Sequence, residues 1–354
     1  MALVKLNFLR MQVLLSVLLC FSLTSIYAVE MTPDVEELID ELVDEYQFNR
    51  VVLEEVLGQA QIKQEIIDLM TRPAERTMTW ARYREIFITE KRIREGIEFA
   101  IKHRDDLDRA TETFSVPHEV IVAIIGVETS YGNIKGSHVV VDALATLGFA
   151  YPRRAAFFKD ELKQFLILAC EEGITPFAGD SACTLSKSSS VPSPVDHIRD
   201  LEGSYAGAMG IGQFISSSYR NFAIDFDGDE FRDIWNNETD AIGSVANYFN
   251  VHGWKNLTPA LLEVHVDPTN TKLVSMANQT LELQHTVPEW REFGVQITGD
   301  YPGMKSALHR FETDDGDLYK LGFHDFYVIT RYNRSRLYAA VVLELAEHIR
   351  EGIE

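Results

Sequence analysis

Val120-Ile121-Val122-Ala123-Ile124-Ile125-Gly126-Val127-Glu128-Thr129-Ser130-Tyr131-Gly132 is an apolar run that ends on a carboxylic acid. With Pro117 opening the segment, the spacing predicts a helix on which Ile121, Ile124, Ile125 and Glu128 share one stripe. The run is apolar on almost every side, so this helix is expected to be buried. Its last turn should push the Glu128 carboxyl into mostly apolar surroundings. Burial disfavours a charged carboxylate and raises its pKa. A carboxylic acid that keeps its proton near neutral pH can protonate a leaving oxygen, the step that opens a glycosidic bond. The bland alternative is a helix-end glutamate that reaches solvent or caps a nearby amide. Glu128 alone does not separate the two.

The chain around this helix has 354 residues, long enough for a large core divided into two or three domains. Its composition, 46% hydrophobic and 25% charged, is that of a globular protein. Residues 1–28 read as a secretory signal. Lys5 and Arg10 supply the positive start, an apolar stretch follows from Met11, and Ile26-Tyr27-Ala28 is a signal-peptidase site. The apolar stretch is shorter than the roughly 20 residues of a membrane anchor. Leu19 before Cys20 argues against a lipid anchor, because a small residue belongs there. No later stretch is long enough to span a membrane. Removing residues 1–28 takes away two bases and no acid, so the net charge moves from −21 to −23. That charge excludes nucleic acid and anionic membrane as natural partners and suits a periplasmic or secreted monomer. Cys170 and Cys183 remain, either as a disulfide or as two buried thiols.

Thr32-Pro33 reads as a helix start, followed by the stripe Val35, Leu38, Ile39, Leu42, Val43 and Tyr46. Helical patterns continue over residues 51–70 and, after a cap at Thr89, over 92–114. Residues 174–200 hold Pro176, Gly179, a serine run, Pro192 and Pro194, and read as a loop or partly disordered insertion, a flap before the next motif. From 259 to 323 the signals turn to short strands, with partial alternation over 261–266 and 280–284 and a turn at Asp314-Asp315-Gly316. A last helix spans 335–349. The expected division is a signal at 1–28, an N-terminal helical region at 29–114, a catalytic core at 115–256, a β-rich region at 257–325, and a C-terminal segment at 326–354.

Residues 203–214, Gly-Ser-Tyr-Ala-Gly-Ala-Met-Gly-Ile-Gly-Gln-Phe, let backbone approach something closely, either a ligand or another part of the chain. Gln213 can offer a donor and an acceptor to a hydroxyl or acetamido group. Glu128-Thr129-Ser130-Tyr131-Gly132, this glycine-rich block, Ala246-Asn247-Tyr248-Phe249 and Thr330-Arg331-Tyr332-Asn333 occur in an order that resembles the lytic murein transglycosylase B family. Asp142-Ala143-Leu144-Ala145-Thr146-Leu147, Tyr151-Pro152-Arg153-Arg154 and Asp240-Ala241-Ile242-Gly243-Ser244-Val245 extend the similarity, which runs from about Trp80 to Tyr338.

The resemblance implies a mainly α (α+β) protein with a lysozyme-like helical catalytic core and a small β-rich inclusion. It implies that Glu128 is the single acid/base cleaving the bond between N-acetylmuramic acid and N-acetylglucosamine in peptidoglycan. The muramyl 6-hydroxyl, not water, would attack and leave a 1,6-anhydro end. It further implies that Tyr83, Arg153, Arg154, Ser204, Gln213, Tyr248, Tyr332, Asn333 and Tyr338 line the glycan groove, where aromatic faces, amides and guanidinium groups suit sugars and carboxylates. No catalytic cofactor is expected.

Residues 225–233, Asp-Phe-Asp-Gly-Asp-Glu-Phe-Arg-Asp, place oxygen side chains at the first, third and fifth positions of an EF-hand-like loop, with the Phe231 carbonyl at the seventh. Glu230 stands where glycine is usual and Asn236 where the closing Glu is usual. The family resemblance suggests closure by Asp240 instead, with one residue more than the usual spacing. A structural Ca²⁺ on Asp225, Asp227, Asp229, Phe231 and Asp240 competes with an acidic solvated turn. Zinc peptidase chemistry is excluded, since no His-Glu-x-x-His occurs. A hydrolytic muramidase would need a second carboxylate, nominally Asp142 or Asp225. A peptidoglycan-binding protein without activity is the other alternative.

Overall fold

The computed structural model describes residues 26–71, 78–177, 182–185 and 197–354. Most of the signal segment, with Cys20, therefore lies outside the described residues, as do residues 178–181 and 186–196 of the expected flap. The helices are α1 (Pro33–Tyr46), α2 (Arg50–Gln59), α3 (Gln64–Thr71), α4 (Trp80–Phe87), α5 (Glu90–Lys102), α6 (Arg104–Phe114), α7 (His118–Thr129), α8 (Val140–Phe149), α9 (Ala155–Glu171), α10 (Ser216–Phe222), α11 (Glu238–Val251), α12 (Thr271–Met276), α13 (Val287–Phe293), α14 (His324–Tyr332) and α15 (Arg336–Ile353). The strands are β1 (Ile26–Ala28), β2 (Gln61–Lys63), β3 (His138–Val139), β4 (Glu202–Gly203), β5 (Leu261–Val264), β6 (His285–Thr286), β7 (Lys305–Thr313) and β8 (Gly316–Gly322). The protein is mainly α with a small β part, as expected.

Three apolar clusters organise these elements. In the first, α1 to α3 pack with α8 and α9; in the second, α4 to α7 pack with α11, α14 and α15. The expected N-terminal region at 29–114 is thus shared between two cores. The third lies under the sheet β5-β8-β7-β6, which is antiparallel throughout. Among the described residues no single helix is long and apolar enough to cross a membrane.

Several local expectations are corrected. Residues 280–284 form no strand, because the Thr280 hydroxyl accepts the Glu282 amide at 3.0 Å and turns the chain. The helix read over 92–114 breaks at His103, and β2 interrupts the one read over 51–70. Ile26–Ala28 also pairs with β2, as β1. The segment read as an unpacked insertion is anchored at its described ends. Ile174, Phe177, Cys183 and Ile198 are buried, and Phe177 packs edge-on against Phe48 at 5.3 Å. Cys170 and Cys183 are joined as a disulfide with Cα atoms 6.4 Å apart.

Candidate active site

α7 is the hub of the second core, packed by α5, α6, α11 and α15. Ile121, Val122, Ala123, Ile124 and Ile125 are 0% exposed. Each full burial of an Ile or Val contributes roughly 1.5–3 kcal/mol. The helix stops because Ser130 and Tyr131 turn left-handed, with φ of 48° and 61°. Their amides return to the carbonyls of Gly126 and Ile125 at 3.1 and 3.3 Å, which satisfies groups a helix end leaves open. Side chains then pin this turn. The Thr129 hydroxyl donates to the Ile211 carbonyl at 2.8 Å and accepts the Gly132 amide at 3.0 Å. The Tyr131 hydroxyl donates to the Arg92 carbonyl at 2.8 Å, and the Arg92 guanidinium donates to the Ser130 hydroxyl at 2.9 Å. Glu128 therefore leaves a rigid corner. Thr129, Tyr131 and Arg92 were not singled out from sequence, although the first two adjoin Glu128 in the motif.

Glu128 is half-buried, and the Tyr338 hydroxyl donates to its Oε1 at 2.5 Å. Tyr338 is buried, and desolvation, reinforced by Glu128, holds its pKa well above the ordinary tyrosine range. The phenol therefore remains a donor at any working pH. Tyr83, also buried, is close enough to Tyr338 to act on it electrostatically. Burial and the Glu128 charge raise the Tyr332 pKa likewise, and its hydroxyl donates to the Gly212 carbonyl. Tyr248 packs against Tyr332 at 4.7 Å, donates to the Arg331 carbonyl at 2.6 Å, and has its pKa pushed up to about 12 by burial. The structure thus brings Glu128, Tyr83, Tyr332 and Tyr338 together, with Tyr248 one ring behind. These rings are packed and the hydroxyls of Tyr248, Tyr332 and Tyr338 are committed, so they build the wall rather than offer open faces.

The remaining predicted residues divide. The Gln213 amide donates to the carbonyls of Lys135 and Gly210 at 3.1 and 2.9 Å. The Ser204 hydroxyl accepts the amides of Ala206 and Ala208 at 3.2 and 3.0 Å and holds a turn. What approaches the glycines is the chain itself. A side chain at Gly203 would sit 2.2 Å from the Ala208 carbonyl oxygen, and one at Gly210 would sit 2.5 Å from that of Ile234. Asn333 is half-buried where α14 ends. Arg153 and Arg154 are exposed at the head of α9, with Arg154 lying 4.1 Å from the Phe157 ring centre.

Neither nominal second carboxylate is offered to Glu128. Asp142 is 0% exposed and accepts the Gln61 amide at 3.0 Å. It also accepts both Arg199 terminal nitrogens at 3.0 and 3.1 Å, with the Lys63 ammonium 3.2 Å away. Asp225 accepts the amides of Gly228, Asp229 and Glu230 within its own loop.

That loop gathers Asp225, Asp227, Asp229 and Asp240, whose carboxylate oxygens lie within 4.8 Å of one another. Asp240, 0% exposed at the start of α11, closes the cluster, whereas Asn236 is exposed and its backbone N–H donates to the Asp233 carboxylate at 3.0 Å. Burial pushes the Asp240 pKa up to about 6, against the pull of the Phe226 and Asp233 amides and with a push from the Asp227 charge. An all-oxygen, acidic set suits a hard divalent cation.

The family model described as Transglycosylase SLT domain matches residues 30–347. The chain is 36% identical over 330 residues to the membrane-bound lytic murein transglycosylase B of Escherichia coli (strain K12), spanning 90% of this chain and 82% of that protein. It is similar to the soluble lytic transglycosylase of Pseudomonas aeruginosa, with TM-score 0.79 and 42% identity over 90% of this chain and 99% of that one. An Escherichia coli lytic transglycosylase solved in complex with calcium matches with TM-score 0.77 and 34% identity, over 91% of this chain and 94% of that one.

Proposed function

The chain belongs to the transglycosylase SLT domain family, and from that premise we propose that it is a lytic transglycosylase acting on peptidoglycan in the bacterial envelope. The observation that carries the reading is a single carboxyl at the end of a buried helix, held by a buried phenol, with the other candidate carboxylates committed elsewhere. Glu128 protonates the oxygen between N-acetylmuramic acid and N-acetylglucosamine as the C1–O bond breaks. The resulting carboxylate takes the proton of the muramyl 6-hydroxyl, whose oxygen bonds to C1 and closes the 1,6-anhydro ring. The Tyr338 hydrogen bond holds the carboxyl in one orientation through both steps. Mass spectrometry of muropeptides released from purified peptidoglycan should show anhydro ends. Reducing ends would select hydrolysis, and no released product would select binding alone.

Asp225, Asp227, Asp229 and Asp240, with the Phe231 carbonyl, would hold a structural Ca²⁺ outside the chemistry. At free calcium about 100 times Kd, binding to the native state alone adds ~2.7 kcal/mol. Because the folded pKa of Asp240 lies near 6, above its ordinary 3.8, its protonation favours the metal-free fold at low pH. That contribution disappears as the pH rises through about 6. Calcium should therefore raise the melting temperature clearly at pH 7.5 and little at pH 4. Identical melts with calcium and with chelator at pH 7.5 would remove the cation from the reading.

A further inference from the structure

One turn from Tyr338, a groove of about 570 Å³ opens between the β-rich region and the start of α15. Its lining includes His309, Asn278, Gln279, Arg334 and Arg336, and no acid among the described residues, while the Glu312 charge reaches Arg336 from outside the lining. In a chain with 54 acidic and 33 basic residues, a cleft whose described lining carries two arginines and no carboxylate is a local reversal of charge. The amino end of α15, with its partial positive charge, faces the same space through Ser335 and Leu337. Beneath them His309 is 0% exposed, and neither of its ring nitrogens has a hydrogen-bond partner. Buried polar atoms left open in this way cost stability and mark places where a further group completes the set. The Asn278 amide is already committed to Arg310, accepting its amide at 2.9 Å and donating to its carbonyl at 3.2 Å, so the wall is preformed.

We propose that this groove is a subsite for a carboxylate of the peptide stem carried by the glycan strand bound at Glu128. The inference rests on the function proposed above. Arg336 and Leu337 directly precede Tyr338, whose hydroxyl touches Glu128, and Asn333 lies in the same lining, so the groove is within reach of a stem on a strand seated at the carboxyl. Guanidinium groups with a helix amino end recognise carboxylates by charge-assisted hydrogen bonds.

The test uses the full chain and two substrates, glycan strands with their stems and the same strands after amidase has removed them. The stripped strands retain only the lactyl carboxylate of muramic acid. Arg334→Glu and Gln279→Glu change exposed side chains at the rim, and a third variant, Arg336→Ala, removes the deeper guanidinium. On stem-bearing strands KM should rise about tenfold or more, the size of one lost charge-assisted contact, with kcat little changed. On stripped strands both constants should match the wild type, and the melting temperatures of the two rim variants should be unchanged. Wild-type KM in the rim variants on stem-bearing strands overturns the subsite, and so does an equal loss on both substrates. A wild-type protein that cuts neither substrate overturns the proposed activity and the subsite with it.

Discussion

Glu128→Gln should fold and melt like the wild type, bind glycan strands, and lose nearly all turnover. A positioned acid/base contributes roughly 10²–10⁴-fold to rate, and in this site one carboxyl is assigned both roles. The substitution keeps the side-chain shape, and the amide oxygen of Gln can still accept the Tyr338 hydroxyl that Glu128 accepts at 2.5 Å. Loss of activity without loss of structure is therefore the expected signature, measured by muropeptide release beside a thermal melt. Retention of more than about a tenth of wild-type turnover would falsify the assignment, since that loss is too small for an acid/base.

Asp142→Asn should show the opposite signature, a large loss of stability with turnover per folded molecule preserved. Asp142 joins β2, α8 and the turn at Ile198–Asp200 by accepting Gln61, Arg199 and Lys63 together. Its carboxylate is 0% exposed, and the side chains of Lys63 and Arg199 are 17% and 26% exposed. Removing one charge from a buried pair costs about 3–5 kcal/mol, because its partners stay desolvated without compensation. The lower end applies here, as Arg199 and Lys63 keep some access to water. Denaturant unfolding with activity corrected for folded fraction measures both quantities. A variant that is stable yet inactive would place Asp142 in the chemistry and revive hydrolysis with two carboxylates.

The helix bearing Glu128 was legible in sequence because its evidence is local. Eight apolar residues in succession, a proline ahead and polar turn residues behind state a buried helix without reference to the rest of the chain. The caps at Thr32 and Thr89, the acidic loop from Asp225 and the turn at Asp314-Asp315 are local in the same sense, and each stands where it was expected. The failures are local patterns overridden by neighbours. Residues 280–284 alternate but are turned by the Thr280 hydroxyl, so that pairing with β7 starts only at Gln284, and Phe177 packs in the core although its segment is rich in Ser and Pro. The motif order named the aromatic residues around Glu128. It did not reveal that Tyr83, Tyr248 and Tyr338 are buried, that the Tyr332 hydroxyl is taken by Gly212, or that the glycines are approached by chain.

Composition, periodicity and motif order thus determined the class of fold, the buried helix that ends on Glu128 and the acidic loop. Tertiary structure alone decided which phenol holds the Glu128 carboxyl, which aspartate is a brace, and that Arg334 and Arg336 share a cleft with His309 and Asn278. The reason is separation along the chain. Glu128 meets Tyr338 across 210 residues and Asp142 meets Arg199 across 57, so these contacts depend on how helices pack and not on any pattern either partner sits in.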